Sequence, residues 1–191
     1  MGLDMYLSKI KRDIIGYKDV DLYEIKTSKP KLYAKLKPYI IMEGGSNYSY
    51  ESLSKEVMYW RKANQIHNWF VNNVQDGNDD CGWYEVSKEQ LEELRDTCKE
   101  VLEKSVLVNA PVVNGYVGTK EGFKPSFEYG QKVTNKKICE ELLPTVEGFF
   151  FGGTDYDNYY VEDVRYTYEG LEKVLSETDF DTEAIFYSSS W

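Results

Sequence analysis

Leu3, Met5 and Leu7 alternate with Asp4, Tyr6 and Ser8, so a half-buried strand is expected almost at the first residue. Three later stretches repeat instead at helical spacing. Strand-like and helix-like periods are interspersed, but without the regular rhythm of a doubly wound parallel sheet. The fold class expected is therefore α+β, a small mixed or antiparallel sheet packed against about three helices.

The first helical stretch opens near Ser52 or Ser54 and runs to about Val74. Leu53, Val57, Trp60, Asn64, His67, Val71 and Val74 form one stripe on it, with Tyr59, Ala63, Ile66 and Phe70 beside them. The second opens on Ser87-Lys-Glu-Gln90, a capping-box pattern, and runs to about Lys104 with Leu91, Leu94, Cys98 and Val101 on one face. The third, capped by Thr154 or Asp155, reaches about Ser176. A short helix is expected over Asn135 to Leu143, stopped by Pro144. Short strands are expected at Tyr39 to Met42, Trp83 to Val86, Gly148 to Gly153 and Ala184 to Tyr187.

Residues 1–191 fit a single domain. Residues 8–50 read as an irregular arm or short strands, because Pro30 and Pro38 exclude a long helix there. The Gly-, Pro- and Asn-rich segment 106–131 reads as a long loop or hairpin.

No apolar run is long enough to span a bilayer, and the N-terminus lacks the basic and apolar regions of a secretory signal. Cys81, Cys98 and Cys139 are odd in number and widely spaced, which points away from a disulfide framework and toward a reducing cytoplasm. The formal charge of −10 disfavours direct nucleic-acid binding and leaves an acidic surface suited to a basic partner. Aromatics reach 15%, with 17 Tyr, and Tyr suits both interfaces and ligand pockets.

His67 is the only histidine. Asn64 precedes it by one turn on the expected helix, so two polar groups fall on an apolar stripe and need partners. They either lock the core or line a pocket. In the pocket reading Trp60, Arg61, Asn64, His67 and Trp69 surround a ligand, Arg61 meeting a carboxylate or phosphate. His67 would then be a hydrogen-bonding group or a general base, oriented by Asp79 or Asp80, with Cys81 as a candidate nucleophile.

Asp76, Asn78 and Asp80 fill the first, third and fifth positions of a calcium loop. The sixth position is Cys81 where the loop needs Gly, and the twelfth is Ser87 where it needs Glu. No metal and no cofactor are expected. Gly152-Gly-Thr-Asp155 precedes a helix, but it lacks the spacing of a phosphate loop. Asp155, Tyr156, Asp157, Tyr160 and Asp163 suggest an acidic, aromatic partner interface.

Three islands carry a resemblance: Met1-Gly-Leu-Asp-Met-Tyr-Leu7; Tyr59 to Val71 running into Asn73 to Cys81; and Leu142-Leu-Pro-Thr145 with Gly148 to Gly152 and Tyr156-Asp157. In these the chain resembles a family of small phage and prophage proteins of unknown function. The resemblance brings no activity; it implies a bacteriophage accessory protein in the cytoplasm of a bacterial host. That context favours an anti-defence binding protein that sequesters a small nucleotide-like ligand or blocks a host defence protein. The alternative is a small hydrolase or transferase with His67 as base. No membrane partner is expected, and a homo-oligomer is allowed.

Overall fold

The computed structural model describes residues 2–45, 48–148 and 150–191. Four strands form an antiparallel sheet: β1 (Asp4–Lys11), β4 (Ser54–Arg61), β5 (Tyr84–Val86) and β8 (Glu183–Ser190), in the order β4-β1-β8-β5. The alternation at the N-terminus becomes β1, with Leu3, Met5 and Leu7 fully buried under the helices. Ile10, on the other face, packs into a second cluster with Leu22, Ile25, Leu36 and Phe186. That cluster is supplied by α1 (Leu22–Ser28) and α2 (Pro30–Leu36). β8 is central and covered on both sides: Ile185 and Tyr187 face one cluster, Ala184 and Phe186 the other. A strand buried on both faces reads as the continuous apolar run Ala184 to Tyr187.

The main cluster lies between the sheet and α3 (Asn64–Asn73), α4 (Lys88–Lys104), α5 (Lys137–Leu142) and α6 (Asn158–Glu177). The Ser87 capping box is formed as the sequence predicts, Oγ accepting from Gln90 N while the Gln90 side chain accepts from Ser87 N. The fold is α+β, with antiparallel sheets only. No helix among the described residues is long and apolar enough to cross a membrane.

Three segments depart from the sequence expectation. The helix expected from Ser52 or Ser54 begins only at Asn64; the residues before it are β4. Trp60 and Met58 sit opposite Met5 and Leu7, and pairing with β1 outweighs the helical spacing. The chain turns at Lys62, which adopts φ +64°, before α3 starts. The expected strand at Gly148 to Gly153 is absent from its described residues, which form an irregular loop; Phe149 lies outside the described residues. The 8–50 segment holds α1 and α2 rather than an irregular arm, and Ser46 and Asn47 lie outside the described residues. Pro30 stands in the first turn of α2, where its missing N–H costs nothing. The segment also supplies a small hairpin of β2 (Ile41–Gly45) and β3 (Tyr48–Ser52).

The expected hairpin is a long two-stranded ribbon, β6 (Leu107–Thr119) paired with β7 (Gly122–Val133), with a bulge between Val113 and Gly115. Its base is tied to the body where Val133 N donates to Tyr156 O at 2.9 Å.

Candidate functional site

A cleft of about 580 Å³ opens between the ribbon, the first turns of α6, the loop after Pro144 and the turn joining β4 to α3. Arg61, Lys62 and Gln65 come from that turn, Val113 to Tyr116 from β6, and Asp157, Tyr159, Glu162 and Asp163 from α6. A smaller recess, of about 240 Å³ and lined by Gly2, Asp4 and Phe150, shares Arg61 and Lys62.

The local backbone explains how these segments meet. Lys62 N donates to Leu3 O at 2.8 Å, and Lys62 O accepts from Asn64 N at 2.9 Å. Gly152, at φ +102°, lies so close that a Cβ there would come within 2.7 Å of Lys62 O. Only glycine tolerates both that angle and that approach. Asn64 then staples the loop. Its Nδ2 donates to Phe151 O at 3.2 Å and Gly153 O at 2.8 Å, and its Oδ1 accepts from Val146 N at 2.9 Å. It is 1% exposed, so it shapes the cleft from behind.

The charges are divided. Arg61 and Lys62 make no ion pair among the described residues. On the α6 side stand Asp155, Asp157, Glu162 and Asp163. Asp157 caps α6, its Oδ1 accepting from Tyr159 N at 3.0 Å and Tyr160 N at 3.3 Å. Burial raises its pKa more than those amides lower it. Asp163 is half-buried and its Oδ2 accepts from Gln65 Nε2 at 3.3 Å. Burial, with the neighbouring Glu162 and Asp157 charges, pushes its pKa up to about 6.

His67 is not in this cleft. It is 1% exposed, and both ring nitrogens are engaged. The Asp79 carboxylate, at 3.0 Å, accepts from Nε2–H, which leaves Nδ1 to accept from the Tyr187 hydroxyl at 2.7 Å. Asp79 also accepts from Trp191 Nε1 at 3.1 Å. Phe151 packs edge-on to the imidazole, with ring centroids 5.5 Å apart. Burial raises the Tyr187 pKa well above its ordinary value, and Asp79 adds to this. Such a histidine has neither a free nitrogen nor a path to a substrate, so the general-base reading of His67 is overturned.

Its expected companions fall with it. Asp80 does not orient His67; its carboxylate accepts from Gly82 N at 2.8 Å and Tyr84 Oη at 3.0 Å, bonds that hold its pKa low. Cys81 is exposed at φ +58° in the same turn, with no hydrogen bond to His67 among the described residues. Among the described residues no three or more His, Cys, Asp or Glu side chains come together as they would to hold a metal ion.

The other candidates divide as sharply. Trp60 and Trp69 are core residues, not ligand walls; Trp60 Nε1 donates to Thr167 Oγ1 at 2.8 Å. Arg61 alone of that set faces the cleft. Tyr156 and Tyr160 are buried, and Tyr160 Oη donates to Leu143 O at 3.0 Å, so they are not an exposed partner surface. Asp155, Asp157 and Asp163 border the cleft, and the edge of the buried Tyr160 reaches it too. Lys62, Gln65 and Glu162 are not singled out as site residues by the sequence, where the Arg61-Lys62 pair is the available clue, and Gly152 enters there only as part of a turn that lacks phosphate-loop spacing.

No protein-family model, no curated protein and no solved structure matches this chain.

Proposed function

We propose that the chain is a binding protein whose cleft holds a small nucleotide-like ligand without turning it over. The observation that supports this reading is the cation pair Arg61 and Lys62, unpaired and shared by two recesses, facing a carboxylate-lined wall. A phosphate fits only at the cations, since the α6 side would repel it. At an effective dielectric of about 20, a charge pair near 4 Å interacts by about 4 kcal/mol before desolvation, so the two ends of the cleft select opposite ends of a ligand. A nucleobase suits the acidic wall because its amino and ring N–H groups donate to carboxylates. Tyr116 and Tyr159 supply rings beside them.

In the phage context that the resemblance implies, sequestering such a molecule would disarm a host defence signal in the bacterial cytoplasm. The test is calorimetric titration with a panel of nucleosides and their mono- and diphosphates. Phosphate-dependent binding, lost in Arg61→Glu and Lys62→Glu, supports the reading. Equal affinity for nucleoside and nucleotide, or no binding at all, refutes it.

One observation favours turnover as a second reading. Asp163, with its pKa of about 6, is poised as an acid–base group in a cleft. Ligand recovered intact after heating the complex supports sequestration; ligand recovered chemically altered, and unaltered with Asp163→Asn, supports a hydrolase or transferase.

A further inference from the structure

Beyond the cleft, the ribbon carries an apolar face whose four rings stay mostly exposed among the described residues. Its register sets Pro111 opposite Tyr129, Val113 opposite Phe127, Tyr116 opposite Pro125 and Gly118 opposite Phe123. Cross-strand partners share a face, so these side chains form one stripe along the ribbon. The stripe contains no Asp, Glu, Lys or Arg, in a chain that is 29% charged. At the ribbon's base this same face turns onto the body, where Val133 is buried opposite Leu107; farther along, the opposite face meets the body at Val112, which is fully buried, and at Glu128, which accepts from the Tyr159 hydroxyl of α6.

We propose that this aromatic face packs against the same face of a second copy of the chain, as an isologous dimer. The area suits that occupant. Tyr116, Phe123, Phe127 and Tyr129 are 70%, 81%, 59% and 79% exposed. At about 200 Å² per ring they leave about 600 Å² open, the most a monomer ordinarily shows. Two such faces reach about 1,200 Å², the lower bound of a specific interface.

The edges argue for the face. Pro111 and Pro125 stand in paired strands, so each ring nitrogen must point away from its ladder partner and interrupts an outer edge. Backbone addition of a further strand is thereby blunted, and side-chain packing is left. The charge pattern argues for a second copy. A basic partner would be drawn to the acidic surface of a chain carrying −10, whereas an uncharged stripe is complementary to itself. Tyr116 borders both the stripe and the cleft, but the dimer does not depend on a bound ligand, and Phe123, Phe127 and Tyr129 lie outside the cleft.

Sedimentation velocity from low to high micromolar protein, in low and high NaCl, tests it. The native chain should dimerise reversibly, and more tightly in high salt, because screening weakens repulsion between two chains of charge −10. Phe123→Glu and Phe127→Glu should each give monomers with unchanged circular dichroism, since both side chains are exposed. Lys124→Glu, on the other face, should leave the dimer intact. A native chain that stays monomeric at high concentration overturns the proposal. So does a dimer that survives the combined Phe123→Glu and Phe127→Glu change, or one that salt dissociates.

Discussion

The buried triad of Tyr187, His67 and Asp79 can be tested as a core lock by a double-mutant cycle. His67→Phe keeps most of the ring volume and removes both nitrogens. Tyr187 is fully buried, so stranding its hydroxyl costs about 1–3 kcal/mol. The buried Ser189 hydroxyl stands beside Tyr187, and pairing with it sets the lower end of that range. Asp79 is 28% exposed at its side chain and keeps Trp191, so its loss is smaller, about 0.5–1 kcal/mol. The single change should therefore destabilise by about 1.5–4 kcal/mol. Tyr187→Phe strands Nδ1 instead and should cost about 1–3 kcal/mol. The double variant leaves neither group stranded, so it should fall short of the sum by about 2 kcal/mol. Urea unfolding of the four proteins, followed by tryptophan fluorescence at constant m, measures this directly. Additivity within about 0.5 kcal/mol would refute the lock. All four proteins, where folded, should bind ligand in the cleft alike, because His67 lies outside it.

The staple, the close approach and the raised acid give further expectations. Asn64→Asp removes the donor to Phe151 O and Gly153 O and sets a carboxylate against them; it should cost about 3–5 kcal/mol, and hydrogen exchange should rise across residues 145–154. Gly152→Ala meets both a left-handed φ and the Lys62 carbonyl, and should cost about 1–3 kcal/mol in a thermal or urea melt while weakening ligand binding. For Asp163 the folded pKa, about 6, lies above the unfolded value of 3.8, so the folded state binds the extra proton between them. The Asp163 contribution to stability should therefore fall as pH rises from about 4 to 6, by at most about 3 kcal/mol, against carboxylates such as Asp80 and Glu183 that act in the opposite sense. Asp163→Asn should stabilise the protein at neutral pH and less so near pH 4; a difference in urea midpoint between native and variant that stays constant across this window would refute the assignment.

What was legible in the sequence was local. The alternation of Leu3, Met5 and Leu7 and the Ser87 capping box each carry their own structural instruction within a few residues, and both elements form where they are written. Asp157 caps α6 two or three residues after the expected Thr154 or Asp155, a shift within one turn. Ser54–Arg61 carries no such instruction. Its residues satisfy a helical stripe and a strand about equally, and the outcome depends on β1, fifty residues earlier, offering Met5 and Leu7 opposite Trp60 and Met58. A single segment cannot encode that choice; it lies in the pairing.

The same distinction separates the two polar positions that the sequence marked. Asn64 and His67 were bound to need partners, because both fall among apolar residues, and both have them. The identity of those partners decides function, and it is set far along the chain: Phe151 and Gly153 for Asn64, Tyr187 for His67. His67 spends both nitrogens inside the core and is chemically closed. Asn64 spends its amide on a loop whose other face lines the cleft, so it shapes the cleft without entering it. The cleft itself is assembled from the turn at Lys62, the bulged stretch of β6, the Gly152 loop and the first turns of α6. Of these only α6 is periodic, and the loop joins the turn because Gly152 can approach the Lys62 carbonyl and Asn64 can hold it there. The residues proposed to carry the chemistry, the Arg61-Lys62 step and the half-buried Asp163, stand away from His67, the most conspicuous polar residue, which holds the scaffold.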